Sequence, residues 1–275
     1  MTFRADLHSH STASDGTYSP SELIAHALSI GLKGLSITDH DTVEGYEEAF
    51  KAITSTSLQL LPGIEFSTEF QGKSVHLLGY SFNLQCSELL EFCAHHHKRR
   101  HQRCEEIIER LHQLGYPITL EEVLAKANHK GSIGRPHFAQ VLVEKGYFSS
   151  IREAFSQLLG DHKPCFVPSR YPSTEETIAL LHRINAFALI AHPHLLEPSL
   201  AKKLIELPWD GVEAYYARFS LDKERPWINL AKKKKWLYTG GSDFHGDAKE
   251  NNALGCSWTV ESQFEKLKER WEENK

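Results

Sequence analysis

The chain is poor in several features. Among 275 residues there is a single Met, and there are five cysteines, at 86, 93, 104, 165 and 256, with no C-x-x-C pair. An odd, widely spaced set excludes a disulfide framework and a thiolate zinc site, and points to reduced, partly buried thiols. No apolar run approaches the roughly 20 residues that cross a bilayer, and Met1-Thr2-Phe3-Arg4-Ala5-Asp6 has no apolar signal core. The expectation is a soluble, cytoplasmic protein without a membrane partner. A global basic excess is also missing. Lys and Arg total 31 against 36 Asp and Glu, a formal charge of −5, which excludes a nucleic-acid coat protein but leaves room for a local basic pocket. Repeats, low-complexity tracts and Pro/Gly-rich linkers are absent as well.

What is abundant is histidine, with 17 residues, the side chain suited to metal ligation and proton transfer near neutral pH. The length fits one large domain or two small ones. Short apolar runs at 35–37, 58–61, 75–78, 186–191, 211–213 and 236–238 read as strands. Helix starts fall between most of them: Ser19-Pro20-Ser21-Glu22, with Gly31 ending that helix, and Ser173-Thr174-Glu175-Glu176. Such alternation implies an α/β protein with a mostly parallel sheet, open or closed, and its chemistry at the strand C-termini. Residues 87–160 differ. They are helical in period throughout, with starts at Thr119-Leu120-Glu121-Glu122 and Ser150-Ile151-Arg152-Glu153. We therefore expect a barrel from 1–86 and 161–275, with a helical insertion at 87–160 that contributes to the substrate cleft.

In Asp6-Leu7-His8-Ser9-His10 the two-residue period of a strand puts both imidazoles on one face, where they can share a metal. Alone this is weak, since chance gives roughly one H-x-H in such a chain and three are present. His95-x-His97, within a polar helical stretch, reads as a solvated face or a phosphate-facing patch. The stronger signal is recurrence after apolar runs: Asp15, Asp39-His40-Asp41, Glu65, His192-Pro193-His194 and Asp243-Phe244-His245. Any one of these can be a cap or turn. Together, and without cysteine, they suit borderline or hard divalent ions such as Zn, Mn or Fe. They are too many for one tetrahedral ion, and clustered divalent cations are how phosphoesterases clamp attacking and leaving oxygens.

The segments Asp6-Leu7-His8-Ser9-His10-Ser11-Thr12-Ala13-Ser14-Asp15-Gly16, Ile37-Thr38-Asp39-His40-Asp41-Thr42, Pro62-Gly63-Ile64-Glu65-Phe66-Ser67, Ile190-Ala191-His192-Pro193 and Gly241-Ser242-Asp243-Phe244-His245-Gly246 resemble, in order, the PHP (polymerase and histidinol phosphatase) family. Gly134-Arg135-Pro136-His137-Phe138-Ala139 and Phe166-Val167-Pro168 extend the likeness, over nearly the whole chain, to its TrpH/YciV-type phosphoesterases. The resemblance implies a distorted (β/α)7 barrel holding three divalent ions, Mn, Zn or Fe. It implies hydrolysis of 3',5'-nucleoside bisphosphates or short 5'-phosphorylated RNA, by attack of a metal-bridging hydroxide. Carried over by position, His8, His10, Glu65 and Asp243 hold one ion; Glu65, His76 and His192 a second; Asp15, His40 and His245 the third. His76 comes from the resemblance alone, since Lys73-Ser74-Val75-His76-Leu77-Leu78-Gly79 reads first as a strand.

The chain departs from the family pattern in three places. His194 stands where Gly is frequent, which bears on local acid/base chemistry, and Asn185-Ala186 replaces a Gly-Gly before that strand. Ser169-Arg170-Tyr171 replaces an aromatic pair, so that Tyr171 becomes the base-stacking candidate and Arg170 adds charge. Arg135 offers a planar fork for bidentate phosphate binding and for the charge of the transition state, against a plain helix start with a solvated Arg. His137 lies two residues on, and Lys163 and Arg170 are candidates for a second phosphate. The run 232–235 is simply the exposed end of a helix. Two rivals stand beside this reading: a histidinol-phosphate phosphatase, and a non-catalytic metal-binding PHP module. No obligate protein partner is indicated.

Overall fold

The computed structural model describes residues 2–53, 57–126, 133–168, 171–217, 219–249 and 251–275. Two compact units are present, one formed by Met1–Cys93 with Pro172–Lys275, the other by Ala94–Tyr171.

The first unit is α/β. Strand β1 (Ala5–Asp6), helix α1 (Pro20–Ser29), β2 (Gly34–Leu35), α2 (Gly45–Ala52) and β3 (Gln59–Leu60) come first, with β1, β2 and β3 paired in parallel. Next are β4 (Gly63–Phe70), β5 (Lys73–Tyr80) and, after the second unit, α7 (Thr174–Arg183), β6 (Phe187–Ile190), α8 (Pro198–Leu204), β7 (Gly211–Tyr216), α9 (Leu221–Lys234), β8 (Leu237–Gly241) and α10 (Glu261–Glu273), following α3 to α6 below. The second sheet has the order β4-β5-β6-β7-β8. Isolated bridges beyond the strand ends pair Ser9 with Phe244 and His40 with Glu65.

The helix starts behave as their sequences predict. Ser19 accepts from the Glu22 amide while Glu22 returns to the Ser19 amide, with Pro20 in the first turn. Gly31, at φ +74°, ends the helix in the conformation glycine tolerates best. Ser173 caps α7 by accepting from the Glu176 amide at 3.0 Å.

The expectation of a mostly parallel sheet holds for four of the six strand pairings, the exception being β5, which pairs antiparallel with both β4 and β6. The cause is a two-residue turn: Gln71 and Gly72 both have positive φ, the geometry that reverses a hairpin without splaying its strands. Strand β4 escaped the period-2 reading because both its faces are covered; Ile64 and Phe66 enter the core while Glu65 and Ser67 are buried on the other side.

Chain breaks between the units fall inside α3 (Ser87–Gln113) and at Tyr171, where 86 and 160 were expected. The second unit continues with α4 (Leu120–Lys126), α5 (Arg135–Glu144) and α6 (Ile151–Ala154), the last extended by a π turn at Phe155–Leu159. Its own core includes Ile107, Leu111, Phe138, Leu142 and Val167. Arg110 and Arg103 donate to the carbonyls of Phe166 (2.6 Å) and Val167 (2.9 Å), which explains why 161–171 packs with these helices. The five cysteines are free, and among the described residues no helix is long and apolar enough to cross a membrane.

One buried hydroxyl ties the site-bearing segments together. Tyr46 OH, on α2, lies 2.8 Å from Ile37 O and 2.9 Å from Leu61 O, and accepts from Gly63 N at 2.7 Å. Tyr46→Phe leaves that buried amide without an acceptor, and we expect a loss of about 1–3 kcal/mol in urea denaturation. An unchanged midpoint would refute the role.

Candidate metal centre

The centre begins with an extended segment. After β1, His8 and His10 project to one side, both fully buried, as their two-residue spacing requires. Asp6 accepts from the amides of His8 (3.2 Å), Ser242 (3.0 Å) and Gly255 (2.7 Å), and so binds this segment to the loop after β8. Gly241 permits the approach: a Cβ there would fall 2.3 Å from the His8 Cβ.

The Asp39-His40-Asp41 triplet divides its labour. Asp39 accepts from Ser11 N (2.7 Å), Ser11 Oγ (2.6 Å) and Ser14 Oγ (2.6 Å), clamping the loop that carries Asp15. Asp41 accepts from Ser67 N at 2.8 Å. Only His40 turns into the cluster.

Glu65 is the centre of that cluster. Its Oε2 lies 3.2 Å from His8 Nε2, 3.1 Å from His10 Nε2 and 3.4 Å from His40 Nδ1. Its Oε1 lies 3.0 Å from His76 Nδ1 and 2.9 Å from His192 Nε2. One carboxylate thus serves two sets of imidazoles. Asp243 Oδ1 is 3.4 Å from His8, His10 and His245, and Asp15 Oδ1 is 3.4 Å from His10 Nδ1 and His245 Nε2.

All nine expected ligand residues therefore converge. They form overlapping groups, His8-His10-Glu65-Asp243, His10-Asp15-His40-His245 and His40-Glu65-His76, in each of which ligand atoms lie within 4.8 Å of one another. Residue His192 meets the same Glu65 oxygen as His76.

Three observations fit divalent ions. His8 Nε2, His10 Nε2 and His40 Nδ1 are buried without an aligned hydrogen-bond partner, although each has a carboxylate oxygen nearby. All donors are nitrogen or oxygen, the set preferred by hard and borderline divalent ions. The electrostatics favour positive charge. Burial opposes protonation of His8, yet Glu213, Glu65 and Asp243 push it up to about 10. Burial opposes ionisation of Glu65, Asp15 and Asp243, yet the surrounding imidazoles hold all three well below the usual carboxylate range. Burial drives His40 down to about 4, so at neutral pH the ring is uncharged and one of its nitrogens offers a lone pair.

Sequence reasoning missed the supporting layer. Glu213 on β7 is buried, holds His8 Nδ1 at 2.9 Å and accepts from His192 N at 2.7 Å. With Nδ1 held by Glu213, Nε2 is the ring nitrogen that faces Glu65 and Asp243 and would serve as the ligand atom once deprotonated. Tyr216 OH and Lys249 Nζ each lie 2.6 Å from Asp243 Oδ2. A strictly alternating strand would send residues 213 and 216 to opposite faces; a bulge between Glu213 and Tyr215 brings both to this one. The signal available was a charged residue inside an apolar strand. His192 and Asp243 also hold φ of 27° and 52°, strain of the kind found at functional sites.

The other expected residues are not members of these ligand groups. His194 is packed against Tyr216, Phe219 and Trp227, and burial lowers it to about 4. In the second unit, Arg135 donates to Leu159 O (3.0 Å) and Asp161 Oδ1 (2.8 Å), with Phe166 beneath its guanidinium. His137 Nδ1 accepts from Gly134 N at 3.0 Å, closing the first turn of α5. Lys163 is exposed, and Tyr171 is stacked with His96. Arg170 lies outside the described residues.

Residues 6–186 match the PHP domain family. A 5'-3' exoribonuclease of Haemophilus influenzae is 33% identical over 264 residues, 94% of this chain and 93% of the relative. A 3',5'-nucleoside bisphosphate phosphatase of Chromobacterium violaceum is 27% identical, over 91% of this chain and 90% of its own. A solved structure from Bifidobacterium adolescentis, assigned as a metal-dependent phosphoesterase, superposes with a TM-score of 0.80 at 31% identity, covering 96% and 95% of the two chains.

Loss of the Glu213 contact should loosen the inward nitrogen of His8. Glu213→Gln is expected to weaken Mn2+ or Zn2+ binding about 10–100-fold in a calorimetric titration, and wild-type affinity would remove Glu213 from the support of the centre.

Proposed function

Because the chain belongs to the PHP domain family and is a metal-dependent phosphoesterase, we propose that its substrate is short 5'-phosphorylated RNA, with 3',5'-nucleoside bisphosphates as smaller substrates of the same site. The observation that carries this is Glu65, whose two oxygens are divided between the His8/His10/His40 side and the His76/His192 side. A shared carboxylate of this kind suits a multi-ion phosphoesterase centre. The higher identity to the exoribonuclease than to the bisphosphate phosphatase favours RNA.

In this reading His8, His10, Glu65 and Asp243 would hold one divalent ion, Mn, Zn or Fe; Glu65, His76 and His192 would hold a second; and Asp15, His40 and His245 a third. Such ions supply Lewis-acid activation of water and neutralise charge on the phosphoryl oxygens. The chain's own residues do the rest. Glu213 orients His8 and the His192 backbone. Tyr216 and Lys249 hold Asp243 Oδ2, so Oδ1 faces the histidines. His194, neutral at pH 7 and stacked on Tyr216, acts on the phosphate only through that ring's position. Arg135, His137, Lys163, Arg170 and Tyr171 are the second unit's candidates for contacts to substrate phosphate and base.

Product release with Mn2+ from a 5'-phosphorylated RNA oligomer, adenosine 3',5'-bisphosphate and histidinol phosphate tests the assignment. RNA and bisphosphate should be hydrolysed. Asp15→Ala should lower both rates by more than about 100-fold, beyond the range for outer residues, and a chelator should abolish them. Preference for histidinol phosphate would move the chain to that phosphatase class. Chelator-resistant turnover would overturn the metal reading itself.

A further inference from the structure

The second unit carries a concentration of basic side chains along one helix. His96, Arg99, Arg100 and Arg103 recur at i, i+3, i+4 and i+7 on α3, the spacing of one helix face. These four and Tyr171 line one pocket. The helix rise of 1.5 Å per residue stretches this face over about 10 Å, more than a single phosphate can span.

A run of basic residues on a helix is usually a solvated face. Four features separate this one. His96 is buried, and its ring is stacked on Tyr171 with centroids 6.3 Å apart and an interplanar angle of 30°. Arg103 is half-buried and anchored through Nε to Val167 O at 2.9 Å, so its fork is placed rather than waving in solvent. Burial, and then the like charges of Arg135 and Arg100, hold the Arg103 guanidinium below its ordinary value. Among the described residues, neither Arg99 nor Arg103 has a carboxylate within ion-pair distance. Cations gathered at a cost to one another, beside an aromatic ring, are what a polyanion with stacking bases would relieve.

We propose that the His96–Arg103 face of α3, together with Tyr171, is a binding track for the phosphodiester backbone of single-stranded RNA. The track rests on the reading of the chain as an RNA-processing phosphoesterase and extends it, since it engages phosphates other than the one hydrolysed. Arg99 and Arg100 take successive phosphates, Arg103 is the anchored member, and Tyr171 presents a ring face to a base.

Anisotropy of a labelled, 5'-phosphorylated RNA oligomer with phosphorothioate linkages, on the full chain with Mn2+ across a salt series, reads the track without turnover. Each phosphate contact to a single strand contributes about 0.7 to the slope of log affinity against log salt. Arg99→Ala with Arg100→Ala should therefore lower the slope by about 1.4 and weaken low-salt binding at least about 10-fold. Lys232→Ala with Lys233→Ala on α9, which removes equal charge elsewhere, should change neither. Arg99→Glu alone should weaken binding further than Arg99→Ala, and equal thermal midpoints establish that the variants are folded. An unchanged slope in the arginine variant, or an equal drop in the lysine control, overturns the track. Because binding is read apart from cleavage, a slope change without RNA hydrolysis would sink the proposed activity and leave the track standing.

Discussion

Everything in the first unit turns on burying the Glu65 carboxylate among five imidazoles. A lone buried carboxylate would be expensive. Here the cost is offset because both oxygens are surrounded, Oε2 by His8, His10 and His40, and Oε1 by His76 and His192. The backbone of the same residue closes the arrangement: its amide approaches Thr38 O at 3.1 Å, and its carbonyl accepts from Asp41 N at 3.0 Å. The side chain that collects the ligands therefore belongs to the residue whose backbone bridges to the segment after β2. A shift of β4 by one residue would send Glu65 to the opposite face and dismantle the cluster.

Much of this was legible. The H-x-H pair on an extended segment, and polar residues recurring after apolar runs, placed His8, His10, Asp15, His40, Glu65, His192, Asp243 and His245 without coordinates. Capping patterns located the helices. What failed did so for identifiable reasons. The doubly covered β4 shows no alternation, and a hairpin reversed by Gln71-Gly72 offers only a faint turn signal. His76 looks incidental because one face of β5 is core and the other is the centre. Glu213 and Tyr216 share a face only through a bulge, which shifts the register that period-2 reasoning assumes. The division inside α3 was hidden because a 27-residue helix carries one period across both units.

The outer residues explain why so many carboxylates coexist without all being ligands. Asp6, Asp39 and Asp41 spend their oxygens on backbone amides and hydroxyls, and so hold loops rather than ions. Asp6 in fact rises to about 6 through burial, the opposite of Glu65, although both are buried. The difference is the neighbourhood: amides are neutral dipoles, whereas imidazoles can carry charge. Motif spacing does not distinguish a clamping carboxylate from one facing histidines. The distinction appears only when the partners of each oxygen are known.

Charge separates the two units in the same way. The chain as a whole is negative and gains little from long-range attraction to a polyanion, because at physiological salt fields between exposed charges decay over about 8 Å. If RNA is the substrate, as proposed, an acidic chain must instead concentrate cations where the strand would touch. Arg99, Arg100 and Arg103 on one face of α3 do this at the cost of mutual repulsion, which anchoring Arg103 to a carbonyl makes tolerable. The first unit follows the converse rule, crowding anions and holding them with histidines. In both, like charges are kept together by neutral or oppositely charged supports, and the compensating charge would come from what binds: divalent cations in one, a phosphodiester backbone in the other.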